Sequence, residues 1–173
     1  MNEKLDERVY SLFQKSLPLL TSVVFMLLGY TPLDLVFFNN VRPDMGMICI
    51  YFWVLHRPDL FSLLSIIVLS VIEMSVSSTL LGADFFAYLV LYTLIYNVGK
   101  YFNSKPFVVI WYGFMAFCLA SLLLKWLVVS FYYSRFLPMS VLIFEYLIAV
   151  ALYPVVSMIL AFVQNKFIGD DER

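Results

Sequence analysis

Residues Leu60 to Leu81 read LFSLLSIIVLSVIEMSVSSTLL. As a helix, a run of this length crosses a hydrocarbon core of about 30 Å, and Glu73 is its only charge. Similar runs lie on both sides of it, at Leu17–Phe38, between Pro43 and Pro58, at Phe85–Val98, from Phe107 onward, and at Met139–Val163. The chain of 173 residues is 63% hydrophobic and 13% charged, where soluble domains run at about 45–50% and 25%. A water-soluble domain of this size has too little interior to hide that much apolar surface. The sequence therefore predicts one all-α domain, a polytopic membrane bundle of about six transmembrane helices with short loops. A cytoplasmic N-terminal segment covers 1–16, the transmembrane helical domain 17–163, and a cytoplasmic tail 164–173.

The runs differ in ways that set expectations for each. Gly29 and the pair Thr31-Pro32 interrupt the first, which predicts a kinked span. Between Pro43 and Pro58 there are only 14 residues, DMGMICIYFWVLHR. They reach about 21 Å as a helix, so a strongly tilted or locally thinned second span is expected. Gly82-Ala83-Asp84 reads as a tight turn into the fourth run. The fifth run is apolar up to Leu124, and Lys125 is expected to snorkel to the interface, with residues 126 to 136 lying along the membrane surface.

Eleven Lys and Arg against twelve Asp and Glu give a net charge of −1. With no basic cluster to neutralise a phosphate backbone, nucleic-acid binding is excluded as a reading. With six spans, one side carries Lys4, Arg8, Lys15, Arg57, Lys100, Lys105, Lys166 and Arg173, and the other keeps Arg42, Lys125 and Arg135. The positive-inside bias places both termini in the cytoplasm. Cys49 and Cys118 sit far apart inside apolar runs and read as buried hydrophobes. The N-terminus carries mixed charge and shows no cleavage site, so the first span is expected to remain as the insertion signal.

Glu73 is the most informative residue, because an ionised carboxylate in mid-membrane is costly unless paired, solvated or neutralised. At 100° per residue, Ser62, Ser70, Glu73 and Ser77 share an arc of about 80°. This polar stripe faces protein, either as a relay, ligand site or partner contact, or as an interhelical hydrogen bond that fixes packing. Asp44 is expected to begin the second helix and Asp59 to cap the third. Glu145 lies within reach of Lys125 or Arg135 as an ion pair. Tyr88, Tyr92 and Tyr96 recur at i, i+4 and i+8, as a belt, a packing seam or a ligand wall. His56 beside Arg57 has no companion at metal-ligand spacing. No nucleophile–base pair, phosphate loop or paired-carboxylate constellation appears, so the sequence assigns no catalytic, cofactor-binding or metal-binding residue.

The order Arg42-Pro43-Asp44, a short apolar run with Tyr51 and Trp53, Arg57-Pro58-Asp59, then an acid at Glu73 followed by Ser78-Thr79-Leu80, resembles the rod shape-determining protein family MreD. Tyr153-Pro154 matches an aromatic-Pro pair in that family's last span. Glu73 stands where the family commonly has Asp, and Ser77 and Leu81 stand where it has glycines. The resemblance implies a non-enzymatic inner-membrane component of the machinery that elongates the lateral cell wall, without cofactors. Its implied partners are MreC, the filament protein MreB, RodA, the elongation-specific penicillin-binding protein and the lipid bilayer, with a homodimer left open. The implied contact residues are Arg42, Pro43, Asp44, Ser70, Glu73 and Ser77, together with Tyr153 and Pro154, which shape a kink in the sixth helix. The alternative from another class is the small-molecule-binding membrane subunit of an energy-coupling-factor-type importer, also small and short-looped. Such a subunit requires polar and aromatic groups converging on an outward cavity and small-residue docking faces.

Overall fold

The computed structural model describes residues 2–30, 43–77, 82–102, 105–136 and 138–168, with side chains from Gln14 onward. Among them are six α-helices and no strand: α1 Asn2–Gly29, α2 Met45–His56, α3 Leu63–Ser77, α4 Ala83–Val98, α5 Phe107–Tyr132 and α6 Met139–Phe167. α5 and α6 are long and apolar enough to cross a membrane. The apolar part of α1, Gln14–Gly29, and helices α2 and α3 are shorter.

α2 is the hub, and its sequence says why. Its stretch MGMICIYFWVLH has no polar face, and a helix that is apolar all round belongs inside. Gly46 through Leu55 are all buried. At 12 residues it is about 18 Å long, and α1, α3, α4 and α6 pack around it. The polar tips of its aromatic residues tie it to two neighbours. The Tyr51 hydroxyl donates to the Ile110 carbonyl of α5 at 2.8 Å, and Trp53 Nε1 donates to Thr21 Oγ1 of α1 at 3.1 Å. Buried Tyr and Trp need such partners.

α6 contains Pro154, which has no N–H to give the Val150 carbonyl one turn earlier. Trp111 Nε1 of α5 supplies that hydrogen bond at 3.2 Å, so the break in the ladder becomes a link between the two longest helices. Beside it, the Tyr153 ring stacks on Phe114 with centroids 4.3 Å apart and meets Tyr51 edge-on at 5.6 Å. At the other break, Gly82 has φ +95° and enters α4 from the left-handed region, which a side chain disfavours.

Successive helices alternate in direction, which gives the bundle two unlike poles. Tyr30, just after α1, meets Glu73 late in α3, and Asp44, just before α2, meets Tyr88 in the second turn of α4. At the opposite pole Gly99 packs beside Leu55, and Gln14 Nε2 donates to the Phe167 carbonyl.

Several expectations are corrected here. α5 runs unbroken through Lys125 to Tyr132, so 126–132 continue the helix and do not form a separate surface segment. Lys125 does not snorkel outward; its side chain is 16% exposed and turns inward. Asp59 does not cap α3. It lies in the turn before the helix, ion-paired with Arg57 at 3.6 Å, and α3 starts at Leu63. Ser62 leaves the polar stripe, being exposed ahead of α3, while Ser70 and Glu73 are buried. The tyrosine series splits: Tyr88 is buried, Tyr92 half-buried and Tyr96 exposed. Each i+4 step drifts about 40° around a helix, so two steps carry Tyr96 off the buried face. α1 ends at Gly29, and the expected break at Thr31-Pro32 lies outside the described residues.

Candidate functional site

The site is built from helix ends that meet at one pole. Asp44 is the N-cap of α2, where its Oδ1 accepts from the Met47 N–H at 3.1 Å, a capping geometry that short acidic side chains favour. Asp84 lies in the first turn of α4, where the positive end of the helix dipole suits a carboxylate. Both acids point toward the position that Lys125 occupies from α5. Its Nζ is 2.9 Å from Asp84 Oδ1, 3.3 Å from Glu145 Oε1 of α6 and 3.6 Å from Asp44 Oδ2. One ammonium thus joins four helices.

Tyrosines complete the ring. The Tyr88 hydroxyl donates to Asp44 Oδ1 at 2.7 Å, and Tyr30 donates to Glu73 Oε1. Gly46 lets Tyr88 reach Asp44, because a Cβ at that position would collide with the Tyr88 hydroxyl. Asp44 and Asp84 are 4% and 1% exposed. Lys125 lies about 10 Å from the end of α5 and Glu145 about 9 Å from the start of α6, by rise per residue. Such a cluster is costly to assemble and more costly to break, since loss of one partner strands the others in a low-dielectric interior. Among the described residues no group of His, Cys, Asp and Glu is arranged to hold a metal ion; Nζ occupies the centre of the carboxylate ring.

The candidate residues from the sequence divide between this cluster and other places. Asp44 enters it, and Glu73 lies at the same pole with Tyr30. Pro43 precedes the cap, its carbonyl accepting from the Met45 N–H at 3.0 Å. Ser70 and Ser77 turn their hydroxyls back to the Ile67 and Glu73 carbonyls of their own helix. Arg42 lies outside the described residues. Tyr153 and Pro154 are not part of the cluster; Tyr153 belongs to the aromatic core and Pro154 to the α5–α6 link. The pairing of Glu145 with Lys125 has the expected partner. Asp84 and Tyr88 join the cluster without any spacing in the sequence that pairs them with Asp44, and Lys125, expected at the interface, is its centre. A signal existed in α5: Cys118, Ser121, Leu122 and Lys125 follow i, i+3, i+4, i+7, the spacing of one buried face.

Two cavities lie away from the cluster. One of about 290 Å³ is lined by Leu55, Pro58, Ile95, Tyr96 and Lys100. Another of about 280 Å³, mostly apolar, is lined by Phe52, His56, Phe107, Tyr153, Ser157 and Ala161 among others. No family model, curated protein or solved structure matches the chain.

Proposed function

We propose that this chain is a multi-pass, non-enzymatic inner-membrane component of the bacterial wall-elongation machinery, of the MreD kind, with both termini in the cytoplasm. In this reading it is a scaffold or regulator acting with MreC for lateral peptidoglycan synthesis, near MreB, RodA and the elongation-specific penicillin-binding protein. All six helices are embedded, the short ones as tilted spans or as core helices shielded from lipid.

The observation that carries the reading is how the buried charges are used. Lys125 is engaged by Asp84, Glu145 and Asp44, and the cluster holds α2, α4, α5 and α6 together. Ion pairs of this kind fix which helices meet and in what register, a role for which buried polar groups are best attested. They line neither of these two cavities, whereas a small-molecule site gathers a few convergent polar groups around its cavity. This disfavours the importer subunit, in which polar groups would converge on a bound substrate. The stretch that carries the resemblance, 42 to 85, also supplies Asp44 and Asp84 to the cluster and Glu73 to its pole.

The test is purification of the tagged chain from native membranes in mild detergent, with quantitative mass spectrometry of what accompanies it. Co-purification of MreC above membrane-protein controls, and restoration of rod shape in depleted cells, is the expected result. Recovery of paired ATPases or a bound vitamin in place of MreC overturns the reading.

A further inference from the structure

The pole that carries the ion cluster holds more acid than base. Asp44, Glu73, Asp84 and Glu145 gather there with one ammonium, Lys125. The other titratable groups that face them among the described residues are the Tyr30 hydroxyl after α1, the Cys49 thiol of α2, Tyr88 of α4 and the Cys118 thiol of α5. None of these is a cation. Fully ionised, the four carboxyls would set four negative charges against one positive charge in a buried site, an imbalance that a low-dielectric interior resists strongly.

Glu73 is the acid that this arrangement leaves without a cation. It is 7% exposed, and no described lysine, arginine or histidine is ion-paired with it, since Lys125 is shared among Asp84, Glu145 and Asp44. Its Oε1 accepts from the Tyr30 hydroxyl, a neutral donor. A second, independent observation lies beside it. Asp44 Oδ2 is buried and accepts no hydrogen bond; the Lys125 ammonium is 3.6 Å away, beyond the usual N–H···O distance. Ser121 is fully buried, and its Oγ makes no hydrogen bond with any described residue. It sits one turn before Lys125 on the same face of α5, the turn over which a helical lysine side chain folds back. The pole thus has a carboxyl short of a cation and buried oxygens short of a donor.

Charge and room decide what makes up the shortfall. Water can satisfy an oxygen but leaves the charge as it was. A metal ion needs ligands around an open centre, and here Nζ occupies the centre, with no described group of His, Cys, Asp and Glu arranged to hold one. A proton takes no space, removes one negative charge and adds one donor. We propose that this pole is a proton-binding site in which Glu73 carries an exchangeable proton, taken from and returned to bulk water, on the oxygen that does not accept from Tyr30. On release Glu73 becomes an anion facing Asp44 and Asp84, so the hold of α3 on the bundle weakens. The site requires only the folded chain and is independent of the wall-elongation reading.

The test is infrared difference spectroscopy on the purified full chain in an ester-free detergent, between about pH 6 and pH 9, above the range in which ordinary Asp and Glu titrate. A protonated-carboxyl C=O band that shifts in D2O should be present at the acid end, fade toward the alkaline end and be absent from Glu73→Gln. Tyr30→Phe, which withdraws the hydrogen bond to Glu73 Oε1, should keep the band and move it to higher frequency, a shift that a merely structural tyrosine would not cause. Asp59→Asn, at the opposite pole, should change nothing. In the same samples the thermal unfolding midpoint should fall as pH rises, because the folded chain keeps a proton that the unfolded chain has already lost. The unfolding constant should increase by up to about tenfold per pH unit until Glu73 releases, and Glu73→Gln should flatten this dependence. No acid band in the unaltered chain, a band that survives Glu73→Gln, or a band indifferent to Tyr30→Phe each overturns the proposal. So does a midpoint that follows sodium or potassium concentration at fixed pH, which would make the ligand a metal cation.

Discussion

At the scale of single residues, Lys125 has the largest expected effect. Lys125→Met leaves Asp44, Asp84 and Glu145 facing one another without a cation, and removal of one partner from a buried ion cluster costs about 3–5 kcal/mol. The expected outcome is a large drop in the thermal unfolding midpoint of the purified protein in detergent. Adding Glu145→Gln to Lys125→Met should recover part of the loss, because one fewer carboxylate is stranded. If Lys125→Met unfolds like the unaltered protein, the cluster does not hold the helices together. Glu73 makes a second, separate case. Its carboxyl group meets Tyr30, so Glu73→Gln preserves a hydrogen-bonding side chain there; under the proposed function it should be milder than Glu73→Leu in restoring rod shape and retaining MreC, and full function of Glu73→Leu would dismiss the residue as a contact. The sequence made Glu73 conspicuous because it is the lone charge in its run. Lys125 was obscured by position: a lysine seven residues from a helix end is near enough to an interface to snorkel, and only the direction of its face decides otherwise. The buried stripe of Cys118, Ser121 and Leu122 carried that direction.

At the scale of helices, local pattern and tertiary context divide the explanation. The N-cap at Asp44 was legible from residue type and position; the burial of α2 on every side was not, because a 14-residue apolar run between two prolines reads equally as a tilted or thinned span, and only its central place among four helices decides. The start of α3 was not legible either: Asp59 has the right residue type just before an apolar run, but Pro58–Leu60 closes a turn in which Asp59 pairs with Arg57 instead. Pro154 shows the same division. From sequence it signals a missing hydrogen bond in α6; that Trp111 of another helix fills the gap depends on how α5 lies against it. The pair makes a quantitative prediction. Trp111→Phe removes the donor and leaves the Val150 carbonyl short of a partner, at a cost of about 1–3 kcal/mol. Pro154→Ala restores the helical N–H, so Trp111→Phe should cost distinctly less in that background. A double-mutant cycle on unfolding free energy measures the coupling, and equal costs in the two backgrounds would refute the exchange of donors.

At the scale of the whole molecule, the two poles differ in chemistry. Asp44, Glu73, Asp84, Lys125 and Glu145 gather toward one pole, while Arg57, Lys100, Lys105 and Lys166 lie at or beyond the ends of helices at the other. The composition was enough to give an all-helical, apolar chain, and the order of basic residues was enough to sort them into two sets. The union of the acids around one lysine required the alternation of helix directions in space, since 40 residues separate Asp44 from Asp84 and 61 separate Asp84 from Glu145. Alternation also fixes the termini relative to each other. Gln14 in α1 donates to the Phe167 carbonyl at the end of α6, so the chain enters and leaves the bundle at the same pole whichever of the short helices fully crosses. In the proposed multi-pass reading, the charge bias would put that pole on the cytoplasmic side. A reporter active only in the cytoplasm should therefore work when fused before Met1, after Arg173, or inserted beside Lys105. A reporter active only outside should work when inserted at Ser134, between α5 and α6. Termini on opposite sides would break the Gln14–Phe167 contact and the bundle with it. Both termini outside would leave the helical arrangement intact and overturn the orientation alone.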